Sequence, residues 1–290
     1  CLEVWSSMTH LHGFFCIVRK KRRVVARLVD MVRSFKGEQA KSPESCLIKA
    51  PPGSGKSHLV KQLARVSGCR LIAFNLTHLF EPGAIVHCFE MISTTQADTP
   101  NNRLLIFVDE VNAKVAGELL YPCFLTVLDE GIYEVSGRAF YLRPAIWIFA
   151  GTEFDEEDIP SKAADFNSRL TRGVVSLYPP AEDPEGGAHD LERIYLGALL
   201  LKRNFREMEW ISEDVLDVFK RMPSGISVRA LHDFTRSFCD VRRRSVGGHC
   251  IPWRWLESKK IRVSKEDWSE SWKRRGGASS VRLVLEDGEN

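Results

Sequence analysis

The sequence predicts an α/β fold: a five-stranded parallel sheet, followed by a small α-helical domain. Three observations carry this. Five short β-rich runs, at 46–50, 69–75, 104–110, 145–150 and 173–178, alternate with stretches of helical periodicity, as strands joined by helical crossovers do. The run Leu104-Leu105-Ile106-Phe107-Val108 is apolar at every position, which suits a parallel strand covered on both faces. Beyond Pro179-Pro180 no further strand is convincing, and helical runs occupy 189–203, 212–221 and 227–242. The expected boundaries are 1–44 for a basic N-terminal helix and linker, 45–180 for the α/β domain, 181–245 for the helical domain and 246–290 for a basic, tryptophan-containing tail.

The composition is that of an ordinary globular protein. The 290 residues are 44% hydrophobic and 27% charged, enough for one large or two small cores. Lys plus Arg number 41 against 38 Asp plus Glu, so a case for nucleic acid or membrane has to be local. The eight cysteines show no Cys-x-x-Cys pair and no zinc spacing with histidines; they read as small buried side chains in a reducing compartment. No apolar run approaches the ~18 residues of a membrane helix, and the patch at 11–18 is too short and broken for a signal peptide. A cytoplasmic protein is expected. Because the chain starts at Cys1, a fragment lacking an N-terminal part is an open reading.

Taken in order, residues 17–36 place Val25, Leu28, Val29, Val32 and Phe35 near helical spacing, ringed by Arg19, Lys20, Lys21, Arg22, Arg23, Arg27 and Arg33. This basic amphipathic helix suits the solvated face of a packed helix, or a contact with nucleic acid or an acidic membrane. Residues 37–45 are a polar linker containing Pro43.

The stretch Ala50-Pro51-Pro52-Gly53-Ser54-Gly55-Lys56-Ser57 lies between an apolar run and an amphipathic one, so it reads as strand, loop, helix. Gly53 and Gly55 permit backbone conformations and close approaches that a Cβ blocks, letting N–H groups wrap a phosphate chain. The pattern is the P-loop with Ala in place of the first Gly. Lys56 is placed to reach the β- and γ-phosphates and Ser57 to ligate Mg²⁺, while the helix start adds its positive dipole end. Pro52, Gly53, Ser54, Gly55, Lys56, Ser57 and His58 are thus the candidate nucleotide-binding set.

A second β-rich run at 69–75 leads through a loop at 76–83 to a helix at 84–92. The apolar run at 104–108 then ends in Asp109 and Glu110. Two acids at the carboxyl end of a buried parallel strand lie where open α/β sheets bind ligands. Asp109 would hold Mg²⁺, with Ser57, and Glu110 would polarise the attacking water. A helix is expected at 111–128 and a hairpin around Ser136-Gly137. The strand at 145–150 runs into Gly151-Thr152, whose hydroxyl can bridge water and γ-phosphate, or simply close a strand. Phe166-Asn167-Ser168-Arg169-Leu170 precedes the fifth strand.

In the helical part, Ser212 reads as an N-cap followed by Glu213 and Asp214. Ser227 can cap the last helix, near whose start lies Arg229. In the tail, Trp253, Trp255, Trp268 and Trp272 interleave with Lys and Arg. They suit either stacking on single-stranded nucleic acid or packing over the helical domain.

This order of parts resembles the AAA+ ATPases of the P-loop NTPase superfamily over roughly residues 45–240. Between Leu104 and Leu170 it is most similar to the Clp/Hsp100-type members, through Asp109-Glu110, Leu128-Asp129-Glu130-Gly131, Gly137-Arg138 and the strand ending at Thr152. The resemblance implies Thr152 as sensor 1, where the Clp-type residue is usually Asn. It implies Arg169 as an arginine finger acting in trans, with Arg172 the competitor three residues on, and Arg229 as sensor 2 in a helical lid. The Clp-type aromatic-Gly pore loop has no counterpart, Phe80-Glu81-Pro82-Gly83 being a poor stand-in, so peptide threading is not supported.

The expected activity is ATP hydrolysis with Mg²⁺, catalysed by Glu110, Thr152 and Arg169 and coupled in an oligomeric ring, a hexamer by resemblance, to remodelling of a protein or nucleoprotein client. The second reading is a nucleotide-gated binding module or loader acting on nucleic acid. A small-molecule kinase leaves Thr152, Arg169, Arg229 and the lid unexplained.

Overall fold

The computed structural model of the protein describes residues 9–11, 14–100, 102–135, 137–151, 160–177, 186–204, 208–211, 213–222, 226–237, 248–252 and 281–286. The chain divides into two compact units, Cys1–Glu182 and Asp183–Asn290.

Unit one opens with an antiparallel pair, β1 (Thr9–Leu11) and β2 (Phe14–Cys16), then helix α1 (Arg19–Ser34). Strand β3 (Glu44–Lys49), helix α2 (Lys56–Ser67), strand β4 (Arg70–Asn75), helix α3 (Ile85–Asp98) and strand β5 (Leu104–Asp109) follow. Short strands β6 (Lys114–Val115) and β7 (Glu118–Leu119) lead to helix α4 (Leu125–Asp129) and the hairpin β8 (Ile132–Val135), β9 (Arg138–Tyr141). Strand β10 (Ile146–Gly151), helix α5 (Pro160–Ser168) and strand β11 (Val174–Ser176) complete it.

Five of these strands form one parallel sheet in the order β11-β3-β10-β5-β4. Alternation along each strand sends side chains to opposite faces. Cys46, Ile48, Leu105, Phe107, Ile146 and Ile148 pack on one face with Val25 and Leu28 of α1 and Leu59 and Leu63 of α2. Leu47, Ile106, Val108, Trp147 and Phe149 pack on the other with Phe89 of α3 and Phe124. Both faces are covered, which is why β5 carries no polar alternation. The register sets Lys49 opposite Gly151 and Asn75 opposite Asp109, so the carboxyl ends of four strands share one edge.

The segment 111–128 departs from the expected continuous helix. Ala116 and Gly117 both have positive φ, 50° and 86°, forming the two-residue turn between β6 and β7. Pro122, which lacks a backbone donor, then sits in a 3₁₀ turn at Tyr121–Phe124 ahead of the five-residue α4. Helix α3, by contrast, runs past the expected residue 92 to Asp98. Its buried Gln96 exchanges two bonds with the Arg143 backbone, donating to the carbonyl at 2.8 Å and accepting from the amide at 2.9 Å, which anchors a polar stretch as helix.

Unit two contains α6 (Gly186–Asn204), α7 (Glu213–Lys220) and α8 (Val228–Ser237). Phe219 packs edge-on against Phe234 and so close to Gly197 that an added Cβ there would lie 2.6 Å from its ring. Ser227 caps α8 by accepting from the Ala230 amide at 3.1 Å. The unit also holds strands that the sequence did not announce: β12 (Met208–Ile211), β13 (Gly248–Pro252) and β14 (Val281–Glu286), parallel in the order β12-β14-β13. Each is four to six residues long and β13 contains both Gly and Pro, so little local propensity marks them. Ser212 and the four tail tryptophans lie outside the described residues.

Candidate functional site

Strand β3 delivers the chain to a loop in which Gly53 and Gly55 have φ of 72° and 93°, both left-handed. A side chain there costs about 1–2 kcal/mol. Gly55 is the residue before α2, and the first intrahelical bond runs from the Leu59 amide to its carbonyl at 2.9 Å. The preceding amides of the first turn therefore have no helical acceptor and face the loop. Pro52 is exposed, and Ser54 is buried at the turn closed by its own amide on the Pro51 carbonyl, 3.3 Å.

Lys56 is 5% exposed. Its ammonium donates to the carbonyls of Ala50 at 2.8 Å and Pro51 at 3.4 Å, and among the described residues no carboxylate pairs with it. A buried ammonium held only by carbonyls favours an anion as its further partner. His58, by contrast, is exposed on α2, its ring 6.3 Å from that of Phe14.

The last residue of β5 meets the second residue of α2. Ser57 Oγ donates to Asp109 Oδ2 at 2.9 Å, and Asp109 Oδ1 accepts the Glu110 amide at 3.1 Å. Glu110 itself has φ 53°, a left-handed conformation unusual outside glycine. Flanking bonds hold it there: the Val111 amide donates to the Ala150 carbonyl at 2.9 Å, and the Ala113 amide to the Glu110 carbonyl at 2.8 Å. Strain of this kind, of order 1–3 kcal/mol, concentrates at functional positions. A hydroxyl and a carboxylate are hard oxygen ligands of the kind Mg²⁺ takes together with substrate phosphates, so Ser57, Asp109 and Lys56 fit a metal-bound nucleoside triphosphate.

The structure thus brings together Gly53, Gly55, Lys56, Ser57, Asp109 and Glu110. Thr152 lies outside the described residues. Arg229 is exposed near the start of α8, within unit two. Two polar residues that sequence reading passed over also stand on this edge. Asn75 ends β4 opposite Asp109, and Asn112 packs so near Gly151 that a Cβ there would meet its Oδ1 at 2.9 Å. Their signal was position: each ends or follows a strand at the carboxyl edge.

Arg169 and Arg172 lie at the other end of the sheet, ahead of β11. The Arg169 guanidinium bonds through Nε to Asp129 and through Nη1 to Asp165, contacts that hold it firmly charged. Arg172 gives Nε and Nη2 to the two oxygens of Glu44, at 2.7 and 3.1 Å. A six-residue strand spans roughly 20 Å, so neither arginine serves the P-loop of its own chain.

Residues 46–160 match the model of the family described as ATPase family associated with various cellular activities (AAA). That description covers the family as a whole and does not separate Clp/Hsp100-type members from the rest. No curated protein matches the sequence. Solved structures do: 1075 chains match, and a likeness at an identity as low as 15% speaks for the fold alone. One is the crystal structure of NtrX from Brucella abortus, with a TM-score of 0.54 and 15% identity over 79% of this chain and 52% of that one. The chain thus spans about half the length of that structure. Among the described residues no helix is long and apolar enough to cross a membrane.

Proposed function

From the premise that residues 46–160 belong to the AAA family of ATPases, we propose that the protein binds ATP with Mg²⁺ and hydrolyses it in an oligomeric ring, coupling turnover to remodelling of a protein or nucleoprotein partner. The observation that carries the reading is the Ser57–Asp109 bond beside a buried Lys56 that lacks a carboxylate partner among the described residues. Gly53, Ser54, Gly55 and the first amides of α2 cradle the phosphates, with Pro52 and His58 at the margins. Lys56 turns its ammonium to the phosphate chain, and Ser57 and Asp109 hold the metal. Bound there, Mg²⁺ supplies neutralisation of the charge that develops on the phosphates.

Glu110, aimed by its left-handed backbone, orients the attacking water. Arg169 of a neighbouring subunit adds positive charge as the phosphoryl group transfers, a contribution typically worth ~10³–10⁵ in rate. Thr152 and Arg229 read the γ-phosphate, so that its loss shifts the helical lid. A hexamer, a cytoplasmic setting and the domain division given above belong to the same proposal.

One observation favours the second reading, a nucleotide-gated module with little turnover: Arg169 is held within its own chain by Asp129 and Asp165. ATP hydrolysis per subunit, followed against protein concentration with Glu110→Gln alongside, separates the two. A specific rate that climbs with concentration and vanishes in the variant supports the ring-dependent ATPase. A negligible, flat rate despite nucleotide binding favours the gated module.

A further inference from the structure

The candidate nucleotide site uses the carboxyl ends of the strands; at the amino ends, cations gather. Arg33 and Lys36, from the end of α1 and the linker after it, and Arg103, just before β5, line one open cleft of about 530 Å³ together with Ser34, Gly37, Gln39 and the buried Phe35. Arg70, at the start of β4, adjoins it, its amide bonded to the Arg103 carbonyl at 2.9 Å. Arg103 is anchored: it donates to the carbonyls of Val32, at 3.3 Å, and Ser67, fixing its charge between the last turns of α1 and α2. Arg33, Lys36 and Arg70 are exposed and have no ion-pair partner among the described residues. Lys41 and Arg65 extend the same end, while the acids on these connections are Glu38, by sequence, and the exposed Asp98.

The bland account is that cations collect where helices present their carbonyl ends. That explains Arg33 and Arg65, each in the last turn of its helix, and the seating of Arg103. It does not explain Lys36, Lys41 and Arg70, which lie off the helices. None of the strongly exposed large apolar side chains lines the cleft. Protein interfaces are enriched in arginine too, but they set it among exposed aromatic anchors and are depleted in lysine, whereas nucleic-acid interfaces are polar and much more positive. With a net charge of only +3 over the chain, this excess is local.

We propose that the amino-end face of the sheet, centred on Arg33, Lys36, Arg70 and Arg103, binds the phosphate backbone of a nucleic acid. The contact is sequence-independent, and it engages a surface at the opposite end of the sheet from the nucleotide loop. It does not rest on ATP turnover. A protein that binds oligonucleotide without hydrolysing ATP retains this face and loses the hydrolysis reading, and the converse result does the reverse.

The test is fluorescence anisotropy of the full chain with short labelled oligonucleotides, single-stranded and duplex, as salt rises from about 50 to 200 mM. The combined variant Arg33→Glu, Lys36→Glu and Arg70→Glu is compared with Lys114→Glu, an exposed lysine on the β6–β7 hairpin. Lys36→Glu and Arg70→Glu are also measured singly, with circular dichroism, so that misfolding is not read as lost binding. Expected are a loss of at least about tenfold in the combined variant and a flattening of the log–log salt slope by roughly one per phosphate-contacting cation removed. Lys114→Glu is expected to bind as the parent does. The proposal is overturned by parent protein that binds neither oligonucleotide at the lowest salt, by a combined variant with unchanged affinity and slope, or by equal loss in Lys114→Glu. Charge-dependent capture of anionic vesicles or polyglutamate in place of oligonucleotides overturns it as well.

Discussion

Ser57 and Asp109, 52 positions apart in the chain, are joined by a 2.9 Å hydrogen bond from hydroxyl to carboxylate. The second residue of a helix and the last residue of a strand meet there because β3, which feeds α2, and β5 flank β10 in one parallel sheet. If the pair holds Mg²⁺ on the triphosphate, Ser57→Ala and Asp109→Asn each raise the Mg²⁺ concentration needed for half-maximal nucleotide binding. About 10- to 100-fold is expected, the range of a hydrogen bond to a charged group. Titration of Mg²⁺ at fixed ATP checks this, and an unchanged midpoint in both variants removes the pair from that role.

Glu110 offers a way to separate stability from activity. Its φ of 53° disfavours any side chain, so Glu110→Gly is expected to raise the free energy of unfolding by about 1 kcal/mol. Turnover is expected to fall by ~10² or more, the lower range for a lost general base. Glu110→Gln loses turnover without the gain in stability. Denaturant unfolding beside steady-state hydrolysis reads both, and a glycine variant that is active, or less stable than the parent, contradicts the account.

Arg169 and Arg172 are distinguished by what holds them. Arg169 divides its guanidinium between Asp129 and Asp165, whereas Arg172 spends two donors on Glu44. Arg169→Ala is expected to reduce hydrolysis ~10³-fold or more with ATP affinity little changed. Arg172→Ala keeps turnover and loses less than about 1 kcal/mol of stability, the ordinary effect of an exposed ion pair. Paired measurements of Kd for ATP and hydrolysis rate decide; the reverse pattern assigns the finger to Arg172.

Cys46 gives a pH prediction with a definite sign. It is fully buried on β3, and burial pushes its thiol up to about 12, against a lowering by Arg27 and with a smaller raise from Glu44. The folded state therefore keeps the proton that the unfolded chain releases near the ordinary thiol value. Stability from this group is complete below that value and falls as pH rises toward about 12, by about 1.4 kcal/mol per unit. Between about pH 8 and about pH 10 the parent is expected to lose about 1–2 kcal/mol more than Cys46→Ala in urea unfolding. Equal losses contradict the assignment.

Local patterns were legible wherever backbone and burial are set locally. The P-loop declares itself through Gly53 and Gly55, because few other residues tolerate the φ values they adopt. Strand β5 declares itself through an unbroken apolar run, because both of its faces are buried. At 111–128 the apolar spacing pointed to a helix, yet the positive φ of Ala116 and Gly117 and the ring of Pro122 prevailed. Strands β12, β13 and β14 were invisible for another reason: they pair across 208–286, and short strands of mixed composition acquire their structure from partners distant in sequence.

What the sequence by itself determined was the set of chemical groups and the local geometry that presents each: a glycine loop opening a helix, two acids ending an apolar strand, arginines ahead of a fifth strand. Tertiary structure alone decided which of these meet. Sheet order and register set Ser57 on Asp109 and Asn75 beside it, and placed Arg169 at the far end, against Asp129 and Asp165. The reason is that side-chain conformation is governed within a few residues, whereas strand neighbours are selected by the burial of two whole faces at once, a property of the sheet and of no single segment.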